Sequence, residues 1–324
     1  MKRVLKKLIS IIVMVMGISV LMFILMQMIP GNPYSSYIKQ GMTPSQIENM
    51  LQSKGYYDPL PVKFAKWFTS FIRLDFGYSI QYNKPVIKLI LERLPNTLRL
   101  TVPSLIIAIV LSIFIGRWAS FKEGFRYKVV DVISMIGISI PTFLISIILI
   151  KWLAFDNKMF PISGTGELSK SSDLPLWLNR IYHGVLPIIV LTFIQFSSIV
   201  RYVIGYMKNV KNEDYIKTYR GFGMTEYEAY KKIGFKNIVP KLVILILMEV
   251  PGIISGMLIT ETVFVWPGIG RLNYDAAMAR DYPLILGIIT IISFLVLISN
   301  RLADALSQRL DKRLEVNQWK KYTR

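Results

Sequence analysis

LISIIVMVMGISVLMFILMQMI, residues 8–29, is an uncharged run of 22 residues. A helix of that length, at about 1.5 Å per residue, crosses the roughly 30 Å hydrocarbon core of a bilayer. It follows Lys2, Arg3, Lys6 and Lys7, and it is longer than the apolar core of a cleavable signal, about 7 to 15 residues. Residues 1–29 therefore read as a first transmembrane helix with its amino end on the cytoplasmic side. Pro30-Gly31-Asn32-Pro33 closes it, because two prolines remove helix donors and restrict the residues before them.

Further apolar runs follow near 97–116, 129–152, 184–203, 242–263 and 283–302, giving an expected six transmembrane helices and an all-α membrane fold. Composition agrees, with 53% hydrophobic and only 18% charged residues. The formal charge of +19 raises nucleic acid as a partner. Most basic residues, however, flank apolar runs instead of forming one patch with interleaved aromatics, which is the signature of membrane orientation. With the amino end inside, segments 1–7, 117–128, 206–241 and 304–324 hold 22 Lys and Arg in 76 residues. The opposite segments, 30–96, 155–182 and 264–282, hold 13 in 114. The bias places both termini, including a basic tail over 304–324, in the cytoplasm. Absence of cysteine excludes disulfides and thiolate chemistry, and His183, the one histidine, has no second imidazole and reads as an interfacial side chain.

Residues 30–96 form an extracytoplasmic region. Thr43-Pro44-Ser45-Gln46 has the cap, first-turn proline and return acceptor of a capping box, with Gly55 ending that short helix. A second helix is expected over about Leu60–Leu74, where Phe64, Trp67, Phe68 and Phe71 recur at helical spacing. Its apolar face suits a headgroup layer, a partner subunit or the remainder of the outer region equally.

The polar island 212–240, NEDYIKTYRGFGMTEYEAYKKIGFKNIVP, lies between two apolar spans on the cytoplasmic side. Asn212 is expected to cap a short helix whose first turn carries Glu213 and Asp214. Gly221-Phe222-Gly223 then permits a sharp turn that exposes Arg220 and Phe222. Thr225 and Glu228 form a second capping box, opening a helix that runs toward Pro240. Helix, glycine elbow and helix make a compact knob, suited to docking another protein or to a purely structural hairpin.

Thr218-Tyr219-Arg220-Gly221-Phe222-Gly223, after Asp214-Tyr215 and before Asn237 and Pro240, resembles the cytoplasmic EAA loop of ABC importer permeases. The branch it resembles imports dipeptides, oligopeptides and nickel. Resemblance continues through Ile29-Pro30-Gly31-Asn32-Pro33, Leu74-Asp75-Phe76-Gly77-Tyr78-Ser79, Glu92-Arg93-Leu94-Pro95-Asn96-Thr97, Ile140-Pro141-Thr142-Phe143, Pro161-Ile162-Ser163-Gly164 and Glu261-Thr262-Val263-Phe264-Val265-Trp266-Pro267-Gly268-Ile269-Gly270-Arg271. In order and spacing these match the first of the two permease subunits of such systems. The resemblance departs at Tyr219, where a small residue is common, and at Gly221-Phe222, where a small-then-basic pair is usual.

The resemblance implies a non-catalytic subunit with a five-helix core over 97–303, importing oligopeptides or dipeptides, or alternatively nickel or a metal chelate. It implies as partners a second, homologous permease, two cytoplasmic ABC ATPases and an extracytoplasmic solute-binding protein, with membrane lipid around it. ATP would be used by the ATPases, and the chain itself would bind no cofactor and no metal. Coupling to the ATPases would fall on Asp214, Thr218, Arg220, Gly221, Phe222 and Gly223. Consistently, no Gly-Lys pair followed by Ser or Thr, the mark of a phosphate-binding loop, occurs in the chain.

Glu249, Ser255 and Glu261 are candidates to line the pathway. An acid inside a membrane helix is costly in lipid and faces a cavity or a partner, so Glu249 reads as a pathway residue, a structural bond to a neighbouring helix or a protonated acid. Gly252, Ser255 and Gly256 also suit close helix packing, and Glu261, near the outer end, is expected at the interface. Arg99, Lys151, Arg201 and Arg301 are read as helix-end residues that snorkel. A stand-alone secondary transporter would be expected to show internal repeats and more mid-membrane ionisable groups, and an enzyme would need a catalytic constellation that the sequence lacks.

Overall fold

The computed structural model describes residues 2–34, 38, 42–122, 124–166 and 175–310. Twelve α-helices account for nearly all of its regular structure: α1 (Lys2–Met28), α2 (Pro44–Ser53), α3 (Leu60–Ile72), α4 (Val86–Ser120), α5 (Phe125–Ser139), α6 (Thr142–Leu149), α7 (Leu176–Val210), α8 (Asp214–Gly221), α9 (Glu226–Glu228), α10 (Phe235–Val263), α11 (Ile269–Met278) and α12 (Tyr282–Leu310). Two π-helical segments, Ile150–Asp156 and Ala229–Gly234, continue α6 and join α9 to α10.

Among the described residues, four helices are long and apolar enough to cross a membrane, in α1, α4, α7 and α12, and a fifth crossing results if α5 and α6 count as one. The span expected over 129–152 carries Pro141 inside it and is broken there outright: α5 and α6 with its π-helical extension meet at 103°. Proline at position 141 is the cause. It has no N–H to return to the Gly137 carbonyl, and it pushes the residue before it out of the helical region, so Ile140 is extended at φ −82°, ψ 128°. Pro187, by contrast, stays inside α7. Several helices outrun the apolar runs that announce them. α4 begins at Val86 because Val86, Leu89 and Ile90, at i, i+3 and i+4, are all buried. α7 spans 35 residues, about 52 Å, and α12 carries the start of the basic tail as helix through Leu310.

The chain divides into two compact units. The first comprises Met1–Pro95 and Gly268–Leu297. Its core gathers Phe23 and Met26 of α1, Leu89 and Ile90 of α4, Leu272 of α11 and Leu284 and Ile288 of α12. Thr43 caps α2 as its sequence predicts, taking the Gln46 N–H while Gln46 returns to the Thr43 N–H. The aromatic face of α3 packs inward: Trp67 stacks on Phe23 with centroids 4.9 Å apart, and Phe64 meets the same ring edge-on at 5.6 Å. Asp281, which no local motif singles out, is fully buried and caps α12. Its carboxylate accepts from the Leu284 N–H at 3.2 Å, the Ser79 hydroxyl at 2.5 Å and the Gln81 N–H at 3.0 Å.

The second unit comprises Asn96–Pro267 and Ile298–Arg324. Here α7 packs on both α5 and α10. α5 comes close because Gly137 has no side chain: a Cβ there would stand 2.0 Å from the Ser197 hydroxyl oxygen. A buried polar ladder runs through its interior: Thr97 donates to Glu261 of α10, Thr101 and Ser104 bond back along α4, and Gln195 of α7 donates to Ser104 at 3.2 Å. Such bonds satisfy polar groups where lipid offers no partner.

Candidate functional site

The island between α7 and α10 folds as a knob in the second unit. α7 ends at Val210, and three turn residues lead into α8. The cap is Glu213, with extended backbone and no side-chain cap bond, so Asn212 does not take the role its composition suggests. Asp214 in the first turn of α8 faces the positive end of the helix dipole, and the Lys217 ammonium 2.9 Å away holds its carboxyl below the usual range.

α8 is amphipathic in the narrowest sense. Ile216 is its one fully buried side chain, set among Val203, Met207, Val210, Tyr230 and Leu242. Burial, with the Glu213 charge nearby, raises the half-buried Tyr215 phenol. Asp214, Thr218, Arg220, Gly221, Phe222 and Gly223, the residues expected to couple, are all exposed and adjoin one another. Phe222 is 81% exposed, unusual for a large apolar ring in a structured turn.

The elbow is a Schellman motif. Gly223 adopts φ +90°, its N–H bonds the Arg220 carbonyl at 3.0 Å, and the Met224 N–H reaches back to the Tyr219 carbonyl at 3.2 Å. Only this second glycine needs the left-handed conformation; Gly221 is the last residue of α8. Thr225 then opens the next helix as predicted. Its hydroxyl accepts the Glu228 N–H at 3.2 Å, and Glu228 accepts from the Thr225 N–H at 3.2 Å and hydroxyl at 2.8 Å, which lowers its pKa.

The structure departs most from expectation after Glu228. The helix expected to stop near Pro240 runs on: α9, the π segment and α10 form one continuous helical path, with Gly234 itself in helical conformation. Pro240, early in α10, does not end it. The π segment packs on α7 at Gly234, where a Cβ would stand 2.5 Å from a Val210 methyl. Wide π turns accommodate insertions that an α-helix cannot.

A clamp that sequence reading missed ties this path to the end of α4. The buried Tyr230 hydroxyl donates to Ser120 at 2.7 Å, and burial pushes the phenol up. Lys211 donates its ammonium to the Phe121 carbonyl and lies near the Phe121 and Tyr230 rings. Arg117 donates to the Lys231 carbonyl at 2.9 Å and stacks 4.0 Å over the Phe235 ring. Phe121 also meets Tyr227 edge-on at 4.9 Å. The sequence signals were present as aromatic and basic residues on both sides, but nothing in spacing paired residues about 110 positions apart.

Of the pathway candidates, Glu249 is half-buried on α10 and accepts from the Ser198 hydroxyl of α7 at 2.9 Å. Ser255 lies outside the residues whose side chains are described. Glu261 is not interfacial within this chain: it is fully buried, and its carboxylate takes the Thr97 hydroxyl at 2.7 Å. The reason is the turn that follows, where Trp266 donates to the Asn96 carbonyl at 2.9 Å and folds the end of α10 against α4. His183 bonds the Ser163 carbonyl through Nδ1 at 3.0 Å.

Comparison with known proteins is decisive for this helical architecture. Residues 108–316 match the family described as binding-protein-dependent transport system inner membrane component, and residues 1–101 match the N-terminal part of the same membrane component. The chain belongs to this family. It is a permease, the non-catalytic, multi-pass inner membrane component of an ABC transporter, and it functions with a binding protein and an ATPase that handles ATP. The permease is 33% identical over 305 residues to the oligopeptide transport system permease protein AppB of Bacillus subtilis (strain 168), covering 93% of this chain and 95% of that protein. It is 29% identical over 317 residues to the dipeptide transport system permease protein DppB of Lactococcus lactis subsp. cremoris (strain MG1363), covering 97% and 99%. A probable peptide ABC transporter permease protein, y4tP of Sinorhizobium fredii, is 30% identical over 312 residues, covering 96% and 98%.

Proposed function

We propose that this permease forms half of the translocation pathway of an ATP-driven peptide importer and receives the ATPase stroke on the exposed face of α8. The observation that carries the coupling role is geometric. α8 and its elbow leave Arg220, Phe222 and Gly223 exposed, α8 is pinned by Ile216, and the elbow leads into a continuous helical path to α10. A push on α8 is therefore delivered to α10 and, through the Tyr230, Lys211 and Arg117 clamp, to α4. Rigid elements of this kind carry a two-state rocking of helix bundles around a central pathway.

The proposed arrangement has six crossings, α10 with its 29 residues supplying the sixth, and both termini in the cytoplasm. It places residues 30–96 outside, facing the binding protein, and pairs the chain with a homologous permease, two ATPases and surrounding lipid. Peptide as solute is supported by near full-length similarity to permeases named for oligopeptide and dipeptide transport. Glu249, joined to α7 through Ser198, is the pathway residue the geometry favours.

Reconstitution with the partner permease, ATPases and binding protein tests the reading. ATP-dependent accumulation of labelled di- to pentapeptides in proteoliposomes is expected. Accumulation of a nickel chelate with no peptide uptake would overturn the peptide assignment.

A further inference from the structure

The elbow between α5 and α6 opens a cavity of about 770 Å³ in the second unit. That volume lies within the roughly 300 to 1,000 Å³ of small-ligand sites. It is lined by Ser139, Pro141 and Thr142 of the elbow and by Ser198, Arg201 and Tyr202 of α7.

Three features set this cavity apart from a packing gap. First, Arg201 is not at a helix end. α7 continues to Val210, nine residues or about 14 Å further, so the guanidinium stands on the flank of a continuous helix and not at its terminus. Arg201 lies two residues from the end of the 184–203 apolar run, so what marks it is the cavity it lines and not its depth. Second, the cation is incompletely matched within the chain. Its nearest carboxylate is Asp131 of α5, with Nη1 and Oδ1 3.9 Å apart, too long for a direct hydrogen bond, and 42% of its side chain is open. Third, the wall offers backbone groups that the broken helix releases. Pro141 cannot donate to the Gly137 carbonyl, and α6 starts at Thr142 with no side-chain cap.

We propose that this cavity is a station for the transported peptide, with Arg201 holding its C-terminal carboxylate and the elbow pairing with its backbone amides. The inference rests on the peptide-importer reading and adds to it a site and a polarity of passage. A planar guanidinium matches a carboxylate in two-point geometry, and such charge-assisted bonds are the strong ones. The open helix ends suit a chain of amides, which carries a donor and an acceptor on each residue.

The test uses the assembled importer in proteoliposomes and two peptides identical except for a C-terminal carboxylate or carboxamide, each at a concentration that saturates the binding protein in a separate binding measurement. Arg201→Gln is expected to lower uptake of the free-acid peptide about tenfold while leaving the amide at its wild-type rate. Arg201→Lys should restore most of the loss. Equal uptake of both peptides at wild-type rates in Arg201→Gln, or equal loss of both, overturns the carboxylate assignment. Because the chain contains no cysteine, Tyr202→Cys gives an independent readout that needs no change at Arg201. Peptide should slow reaction of the thiol at position 202 with a maleimide several-fold. A rate unaffected by peptide, or a thiol shielded in the resting complex by the partner permease, overturns the station. A wild-type complex that moves neither peptide overturns the importer reading itself, whereas the other failures leave it standing.

Discussion

Phe222 offers the sharpest test of the coupling face. With 81% of the residue exposed and about 150 to 250 Å² available on an aromatic side chain, roughly 150 Å² awaits a partner. At about 25 cal/mol per Å² its burial in an ATPase groove is worth at most about 4 kcal/mol, and ordering the side chain offsets about 1 kcal/mol of that. Phe222→Ala is therefore expected to weaken ATPase binding by about 2 to 3 kcal/mol, roughly 30- to 150-fold. Folding should be unaffected within about 0.5 kcal/mol, as for other surface truncations, because α8 is held by Ile216 on its other face. Affinity of the purified ATPase for immobilised permease reads the first quantity, and thermal unfolding in detergent reads the second. Peptide-stimulated ATP hydrolysis in the assembled importer should fall with the affinity. Wild-type affinity and wild-type stimulation in Phe222→Ala would refute the reasoning, since no other aromatic of α8 and its elbow is as exposed as this ring, Tyr219 being 41% exposed.

Three other outcomes follow from the same geometry. Gly223→Ala meets open space but must hold φ near +90°, at a cost of about 1 to 2 kcal/mol; coupling should drop while membrane insertion persists, and Gly223→Asn should fall between the two in an ATPase-stimulation assay. Tyr230→Phe removes the bond to Ser120 inside the clamp, costing about 0.5 to 1.5 kcal/mol; the expected signature is a lowered thermal midpoint together with ATP hydrolysis that proceeds with less uptake per turnover. Glu249→Gln keeps an acceptor for Ser198 but removes the charge; a changed uptake rate at unchanged ATPase affinity is expected, and unaltered transport would take Glu249 off the pathway.

What could be read before the fold was known divides along a physical line. Local rules reached the apolar run 8–29, both capping boxes, the aromatic face of α3 and the Gly223 elbow, because each depends on residues within about one helical turn or on side-chain period. The exposure of Asp214, Thr218 and residues 220–223 was legible for the same reason: they lie within ten consecutive positions, and their exposure follows from the polarity of the stretch. Pro141 was visible too, but whether a proline bends a helix or is absorbed, as Pro187 is, depends on what neighbouring helices supply to the freed backbone.

Pairings between distant positions needed the tertiary structure. Thr97 with Glu261, Ser79 with Asp281, Ser120 with Tyr230 and Ser198 with Glu249 are separated by 164, 202, 110 and 51 residues. Composition marks a buried acid as needing a donor without saying which hydroxyl provides it. Arg201 makes the same point from the other side. By sequence it closed an apolar run and looked like a helix-end cation; only the continuation of α7 to Val210 and the elbow cavity beside it placed the charge on a helix flank that lines a cavity. The sequence by itself determined the membrane class, the family and the exposed helix-and-elbow stretch, since hydropathy and short motifs are local. Tertiary structure decided that this stretch is joined to α10 by a continuous helical path and clamped to α4, because that depends on which surfaces meet when helices pack.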